Sequence, residues 1–343
     1  MKTIATLMCC VSLSAVAISG CNEPAPNPET SVQEMVSSGE TTGDRLNVTV
    51  SILPQQYFVE KIGGDRVKVQ VMVPEGTDPE TYEPKPQQLT DLSEADTYIA
   101  TGIFFEEIWA ERIKTTNSEM LLTDSSAGIE KIAMVAHSHN HDDHSEAEHS
   151  EHEEHDHDEE HSEHEDYSEA GNEQHDDRDR DLKDPHTWLS PKLAKVHAQN
   201  IYDTLVELEP ASEAVFKENL DTLLAEIDEL DQAIATTLEN LSSRSFLVFH
   251  PAWGYFAEDY DLEQIPIEVQ GQEPSAAELA ELITVAEAEN IQVVFAQYQF
   301  NSRPAQTIAD EIGGKVIFID PLSADWANNL KEIAQQIALA NTP

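Results

Sequence analysis

Thiols are almost missing from this chain. Its 343 residues include three cysteines, and all of them (Cys9, Cys10 and Cys21) precede Asn22. The body after them has no disulfide framework and no thiolate metal site, so any metal there is held by nitrogen and oxygen. Basic residues are scarce too: 19 Lys and Arg stand against 67 Asp and Glu, a formal charge of −48. That balance excludes a nucleic-acid partner, whose phosphates require Lys and Arg. It also repels anionic lipid headgroups while concentrating cations. Long apolar runs are absent beyond Ile4 to Ile18, which is too short and too close to the N-terminus for a membrane span.

What is abundant is histidine in one place. Residues 137–181 hold 11 of the 14 histidines among 20 Asp and Glu. These are His137, His139, His141, His144, His149, His152, His155, His157, His161, His164 and His175. With only Arg178 and Arg180 as counter-charges, the segment contributes −18 and leaves −30 for the rest. It has too little apolar surface to bury a core and reads as a disordered insert. Imidazole and carboxylate are the usual ligands of zinc and similar ions, so the insert is expected to bind metal weakly at several places.

Lys2, the apolar stretch and Ile18-Ser19-Gly20-Cys21 read as an export signal ending in a motif that resembles a bacterial lipobox. That resemblance implies cleavage before Cys21 and lipid on its sulfur. Residues 22–44, rich in Pro, Ser, Thr, Glu and Gly, read as a flexible tether. The expected placement is extracytoplasmic or periplasmic, anchored to a membrane without spanning it.

Without signal, tether and insert, about 255 residues remain, room for two lobes. β-rich runs alternate with helical patterns. Strands are expected at Leu46–Leu53, Val67–Val73, Thr97–Ala100, Ile132–Val135, Phe246–Phe249, Val293–Ala296 and Val316–Ile319, with helices between them. This is an α/β chain with mostly parallel sheets covered by helices. Residues 191–241 differ: Leu220, Leu223, Leu224, Ile227, Leu230, Ile234, Leu238 and Leu241 keep helical spacing. The helix after Pro210 is expected to run about 30 residues, roughly 45 Å, and to tie the two lobes together. The expected organisation is 1–20 signal, 21–44 anchored tether, 45–190 first lobe containing 137–181, 191–244 helical linker and 245–343 second lobe.

Four oxygen or nitrogen donors fall just beyond strand ends: Glu80, His186, His250 and Asp320. Open α/β sheets bind ligands outside the carboxyl ends of their strands. Two donors come from each half, so the expected site is a metal cleft between the lobes. Two neutral imidazoles and two carboxylates balance a divalent charge. Four protein ligands leave little room for an attacking water, and no His-Glu-x-x-His pattern occurs, so the chain does not read as a metallo-hydrolase. His197 is expected on a helix surface. Trp188, Trp253 and Tyr255 are expected to pack around the site.

The segments Gly76–Pro84, Gly102–Glu106, Asp184-Pro185-His186-Thr187-Trp188-Leu189-Ser190-Pro191, Phe249-His250-Pro251-Ala252-Trp253-Gly254-Tyr255-Phe256, Glu273-Pro274-Ser275 and Ile319-Asp320-Pro321-Leu322 resemble, in order and spacing, the zinc- and manganese-binding solute-binding proteins of bacterial ABC importers, the ZnuA-like group. The likeness covers about residues 45–341. It implies two α/β lobes joined by a rigid long helix, a buried metal between them, and delivery to an ABC transporter permease; the chain is expected to be a monomer. A histidine-rich acidic loop before the second ligand is typical of the zinc members. One departure stands out: Glu80 occupies a position where the family usually has His. More oxygen moves preference toward Mn²⁺ or Fe²⁺, while the insert favours Zn²⁺. Zinc is the expected cargo, with manganese or iron as the alternative, or a surface metal buffer or adhesin not coupled to import.

Overall fold

Two four-stranded sheets, each parallel throughout, carry the chain. The computed structural model describes residues 45–134, 183–269 and 271–341. The expected signal, tether and insert, with Cys21 and the 11 insert histidines, lie outside the described residues.

The first sheet contains β1 (Leu46–Val50), β2 (Val67–Val71), β3 (Thr97–Ala100) and β4 (Leu121–Asp124), in the order β2-β1-β3-β4. Register runs Leu46 to Val67 on one side of β1 and Val48 to Thr97 on the other. Parallel neighbours need crossover connections, and α1 (Leu53–Gly63), α2 (Pro86–Leu92) and α3 (Phe104–Thr116) supply them. The second sheet repeats the plan: β5 (Ser245–Val248), β6 (Glu263–Pro266), β7 (Val293–Ala296) and β8 (Lys315–Phe318) lie in the order β6-β5-β7-β8. Its crossovers are α6 (Gly254–Asp259), α7 (Ala276–Ala288) and α8 (Arg303–Glu311). In each sheet the chain steps to one side of its first strand and then to the other. This puts a switch point between β1 and β3, and another between β5 and β7.

Between the sheets run α4 (Pro191–Leu208) and α5 (Glu213–Thr237). Ser190 caps α4 by accepting from Leu193 N, and Pro191 starts it with a preset φ. In α5, Phe216, Leu220, Leu223, Ile227, Leu230 and Ile234 form the buried stripe. At 25 residues the helix is about 38 Å long. It packs against α4, α1 and the last helix, α9 (Trp326–Ala340). Trp326 of α9 reaches the first half of the chain, where its ring lies 4.9 Å from that of Phe58.

One buried apolar cluster joins both sheets: Val48, Val50 and Ile99 belong to it, and so do Phe246, Val248, Phe295 and the α5 stripe. A smaller cluster covers the opposite face of the second sheet, with Leu247 and Val294 against Leu282 and Ile308. The alternation of Phe246 and Val248 with Leu247 between these clusters follows the two-residue period of a strand buried on both faces.

Several local expectations differ from the structure. Of the strand expected at Ile132–Val135, the described residues Ile132–Met134 form none, and Ala133 makes an isolated antiparallel bridge to Lys183 instead; Val135 lies outside the described residues. The fourth strand is β4, whose alternating half-buried pattern is only four residues long. The short strand β6 ends at Pro266 and was also not expected. The linking helix is 25 residues rather than about 30. His197 is not on the surface: it is 1% exposed.

Candidate metal centre

The centre is built from loops at the carboxyl ends of both sheets. His250 follows β5 beside the switch point. Gln297, just after β7, clamps its backbone: His250 N donates to Gln297 Oε1 at 3.1 Å, and Gln297 Nε2 donates to His250 O at 2.7 Å. Glu268, after β6, accepts from His250 Nδ1 at 2.8 Å. Phe300 stacks on the ring at 4.7 Å. A carboxylate only accepts, so Nδ1 carries the proton and Nε2 is the free donor atom.

His186 is held the same way. Asp184 Oδ1 accepts from both His186 N at 2.9 Å and His186 Nδ1 at 2.7 Å. Asp184 is itself buried. Tyr255 donates to its carbonyl and accepts from Ile132 N, while Asp184 N donates to Ile132 O. These three bonds join the two strands of chain on either side of the insert. Gly254 permits the approach, because a Cβ there would sit 2.7 Å from Asp184 Oδ2. Trp188 donates through Nε1 to Pro321 O, and Trp326 Nε1 donates to Trp188 O. The His186 loop is thereby tied to the loop after β8.

The outcome is an Nε2 to Nε2 distance of 3.3 Å between His186 and His250. Both residues are buried. They line a cavity of about 50 Å³ together with Asp78, Glu80, Trp188 and Gln299. That space is far below the ~300 Å³ of an organic-ligand pocket and suits a single ion with a water.

Glu80 lines the same cavity but keeps solvent exposure. Its loop is braced by Asp78, which accepts from Glu80 N at 2.9 Å and from the Thr81 hydroxyl at 3.0 Å. Partial burial raises its carboxyl pKa above the usual value, with the neighbouring histidines pulling the other way. Burial pulls the His250 imidazole down, but the hydrogen bond and charge of Glu268, with the charges of Glu80 and Asp78, outweigh it and leave it raised.

Asp320 stands at the edge. It is half-buried, and its Oδ1 accepts from Gln299 Nε2 at 2.8 Å and Leu322 N at 2.9 Å. The cavity wall there is formed by Gln299, Pro321 and Leu322. Among the described residues, no three His, Asp, Glu or Cys side chains are already gathered as a metal-binding group. The structure thus brings His186 and His250 together, puts Glu80 on the same cavity and leaves Asp320 behind Gln299. Trp188, Trp253 and Tyr255 are all buried; Trp188 lines the cavity and Tyr255 holds Asp184.

Asp184, Glu268, Gln297 and Gln299 were not singled out in the sequence. Asp184 precedes His186 by two residues, and that spacing alone was a usable signal for a carboxylate that orients an imidazole. Glu268 is far from His250 in the chain and only the parallel pairing of β5 with β6 makes them neighbours.

The profile of the family described as "Zinc-uptake complex component A periplasmic", ZnuA, matches residues 48–340. The high-affinity zinc uptake system protein ZnuA of Bacillus subtilis is 29% identical over 289 residues, which cover 83% of this chain and 81% of that protein. The zinc-binding protein AdcA of Streptococcus pyogenes is 27% identical over 84% of this chain, which spans about half (52%) of AdcA. A crystal structure of ZnuA matches at 44% identity and a TM-score of 0.72, covering 87% of this chain and 100% of that one. A zinc-bound ZnuA lacking residues 138–173 of its own sequence matches at 44% identity and a TM-score of 0.73, covering 88% of this chain and 99% of that one. The paired parallel sheets and these likenesses agree, and the chain belongs to the ZnuA family of periplasmic zinc-uptake components.

Proposed function

We propose that this chain captures Zn²⁺ between His186 and His250, with Glu80 and Asp320 completing the set, and hands the ion to an ABC transporter permease. It is a solute-binding protein and not an enzyme. The observation that carries this reading is the pair of Nε2 atoms 3.3 Å apart, each turned inward by a carboxylate on its own Nδ1. Two nitrogens and two carboxylate oxygens suit a tetrahedral zinc ion, and the solved relative that carries zinc supports that cargo. Mn²⁺ or Fe²⁺ remains the alternative that Glu80 favours, since carboxylate oxygens suit harder ions. The ion is cargo, so the site must also let go. A rim formed by Glu80, still open to solvent, gives it a route out.

In this reading Cys21 carries a lipid anchor, the body works outside the cytoplasm, and the 11 insert histidines raise the local concentration of zinc beside the cleft. The test is a Zn²⁺ against Mn²⁺ competition titration on protein lacking residues 1–44 and 137–181. One tight site preferring zinc is expected. A preference for manganese overturns the choice of metal, and loss of all tight binding overturns the cleft.

A further inference from the structure

Gln299 has one satisfied end and one that is not. Its Nε2 donates to Asp320 Oδ1 at 2.8 Å. A flipped amide would set an oxygen against that carboxylate, so the chemistry fixes which end is which. Its Oε1 is buried and has no hydrogen-bond partner among the described residues. Gln299 lines the cavity beside His186, His250 and Glu80. A buried carbonyl without a partner is destabilising, and such groups in folded proteins have a reason to be there.

We propose that Gln299 is a further residue of the binding site, and that its Oε1 takes up the cargo cation or the water carried on it. This rests on the assignment of His186 and His250 as the nitrogen donors. An amide oxygen is neutral and hard: it adds a ligand without adding charge. With two carboxylates already present, a third would leave the loaded site negative. The same amide orients Asp320. Both hydrogen bonds to that carboxylate land on Oδ1, and among the described residues none reaches Oδ2, which keeps its lone pairs for the ion. Gln299 is therefore both a ligand and the link that couples Asp320 to the cavity.

The experiment uses the full chain, with zinc buffered by a strong chelator so that only the tightest site reports. Gln299→Leu and Gln299→Asn are compared with wild type, alone and in an Asp320→Ala background. His250→Ala serves as the control for the site itself. Zinc affinity is expected to fall about tenfold or more in each Gln299 variant. The metal-free thermal midpoint is expected to stay within about 4 °C, because the lost bond to Asp320 and the relieved orphan offset each other. In the Asp320→Ala background Gln299→Leu is expected to cost a further fivefold or so, since Oε1 acts on the ion in its own right. Unchanged zinc affinity overturns the proposal. So does a loss that vanishes when Asp320 is already gone, or one that follows a matching drop in metal-free stability. If His250→Ala also keeps the tight site, the cleft assignment itself has failed, which is a different result from Gln299 failing alone.

Discussion

His186 and His250 face each other Nε2 to Nε2 at 3.3 Å, while the Nδ1 of each is engaged by a carboxylate. Two bare lone pairs would repel at that distance. One proton between them would turn the contact into a hydrogen bond, and the raised pKa of His250 points the same way. A proton at that place competes with the ion for the same lone pairs.

Zinc binding is therefore expected to release protons, more of them as pH falls. Calorimetry in two buffers of different ionisation heat measures it. A group whose folded pKa is raised stabilises the metal-free fold below its unfolded value of 6.5 and loses that contribution as pH rises through the higher folded value. Zinc affinity runs the opposite way and weakens on acidification, beginning above 6.5. The rise in thermal midpoint caused by zinc shrinks accordingly. An affinity that is flat from about pH 8 to about pH 6 would sink the shared-proton account.

Glu268→Gln keeps the shape of the His250 partner and removes its charge. The imidazole then loses the interaction that holds its tautomer and raises its basicity. A loss of about 10–100-fold in zinc affinity is expected, read by chelator competition, with a weaker pH dependence than wild type. Wild-type affinity in this variant would mean that the Glu268 contact is only packing.

His197 is a second buried histidine with a different task. Ser125 Oγ donates to Ala100 O and accepts from His197 Nδ1 at 3.0 Å, so His197 Nε2 accepts from the Thr187 hydroxyl at 2.8 Å. The ring thus links the end of β4 to the residue after His186. Burial lowers its pKa to about 4 from 6.5. The unfolded chain binds the proton more readily, so stability is present above 6.5 and is lost as pH falls toward about 4. His197→Ala is expected to cost about 2–4 kcal/mol in denaturant unfolding at neutral pH. His197→Gln flattens the acid slope between these two values. An unaltered slope would show that other groups set it.

Gly254→Ala puts a methyl group 2.7 Å from Asp184 Oδ2, closer than the two can pack. Asp184 must move, and His186 moves with it. Destabilisation of about 1–3 kcal/mol is expected from the crowding, together with a measurable fall in zinc affinity. Intact affinity in a destabilised variant would separate the orientation of His186 from the packing at Gly254.

The larger features were legible in the chain. Periodic leucines marked α5, β-branched runs marked β1, β2 and β7, and a short apolar run marked β5. The order of motifs around Glu80, His186 and His250 pointed to one cleft. What escaped has physical causes. Strands β4 and β6 are four residues each and get their definition from a neighbour's hydrogen bonds, which no local pattern contains. The apolar run at Ile132–Val135 has the composition of a strand, but among its described residues only Ala133 pairs, with Lys183. His197 shares its helix with lysines and looks polar, yet the burial of Ala194, Ala198 and Ile201 puts it on the covered face. Gln299 is one glutamine among several, and only the geometry shows its unanswered oxygen.

The clamp of Ile132, Asp184 and Tyr255 joins the two stretches of chain that flank residues 135–182. Both flanks of the segment between them are pinned by hydrogen bonds inside the body itself. His186, two residues beyond Asp184, is therefore positioned by its own lobe, and a change in the length of chain between Ile132 and Asp184 reaches it only by loosening this clamp.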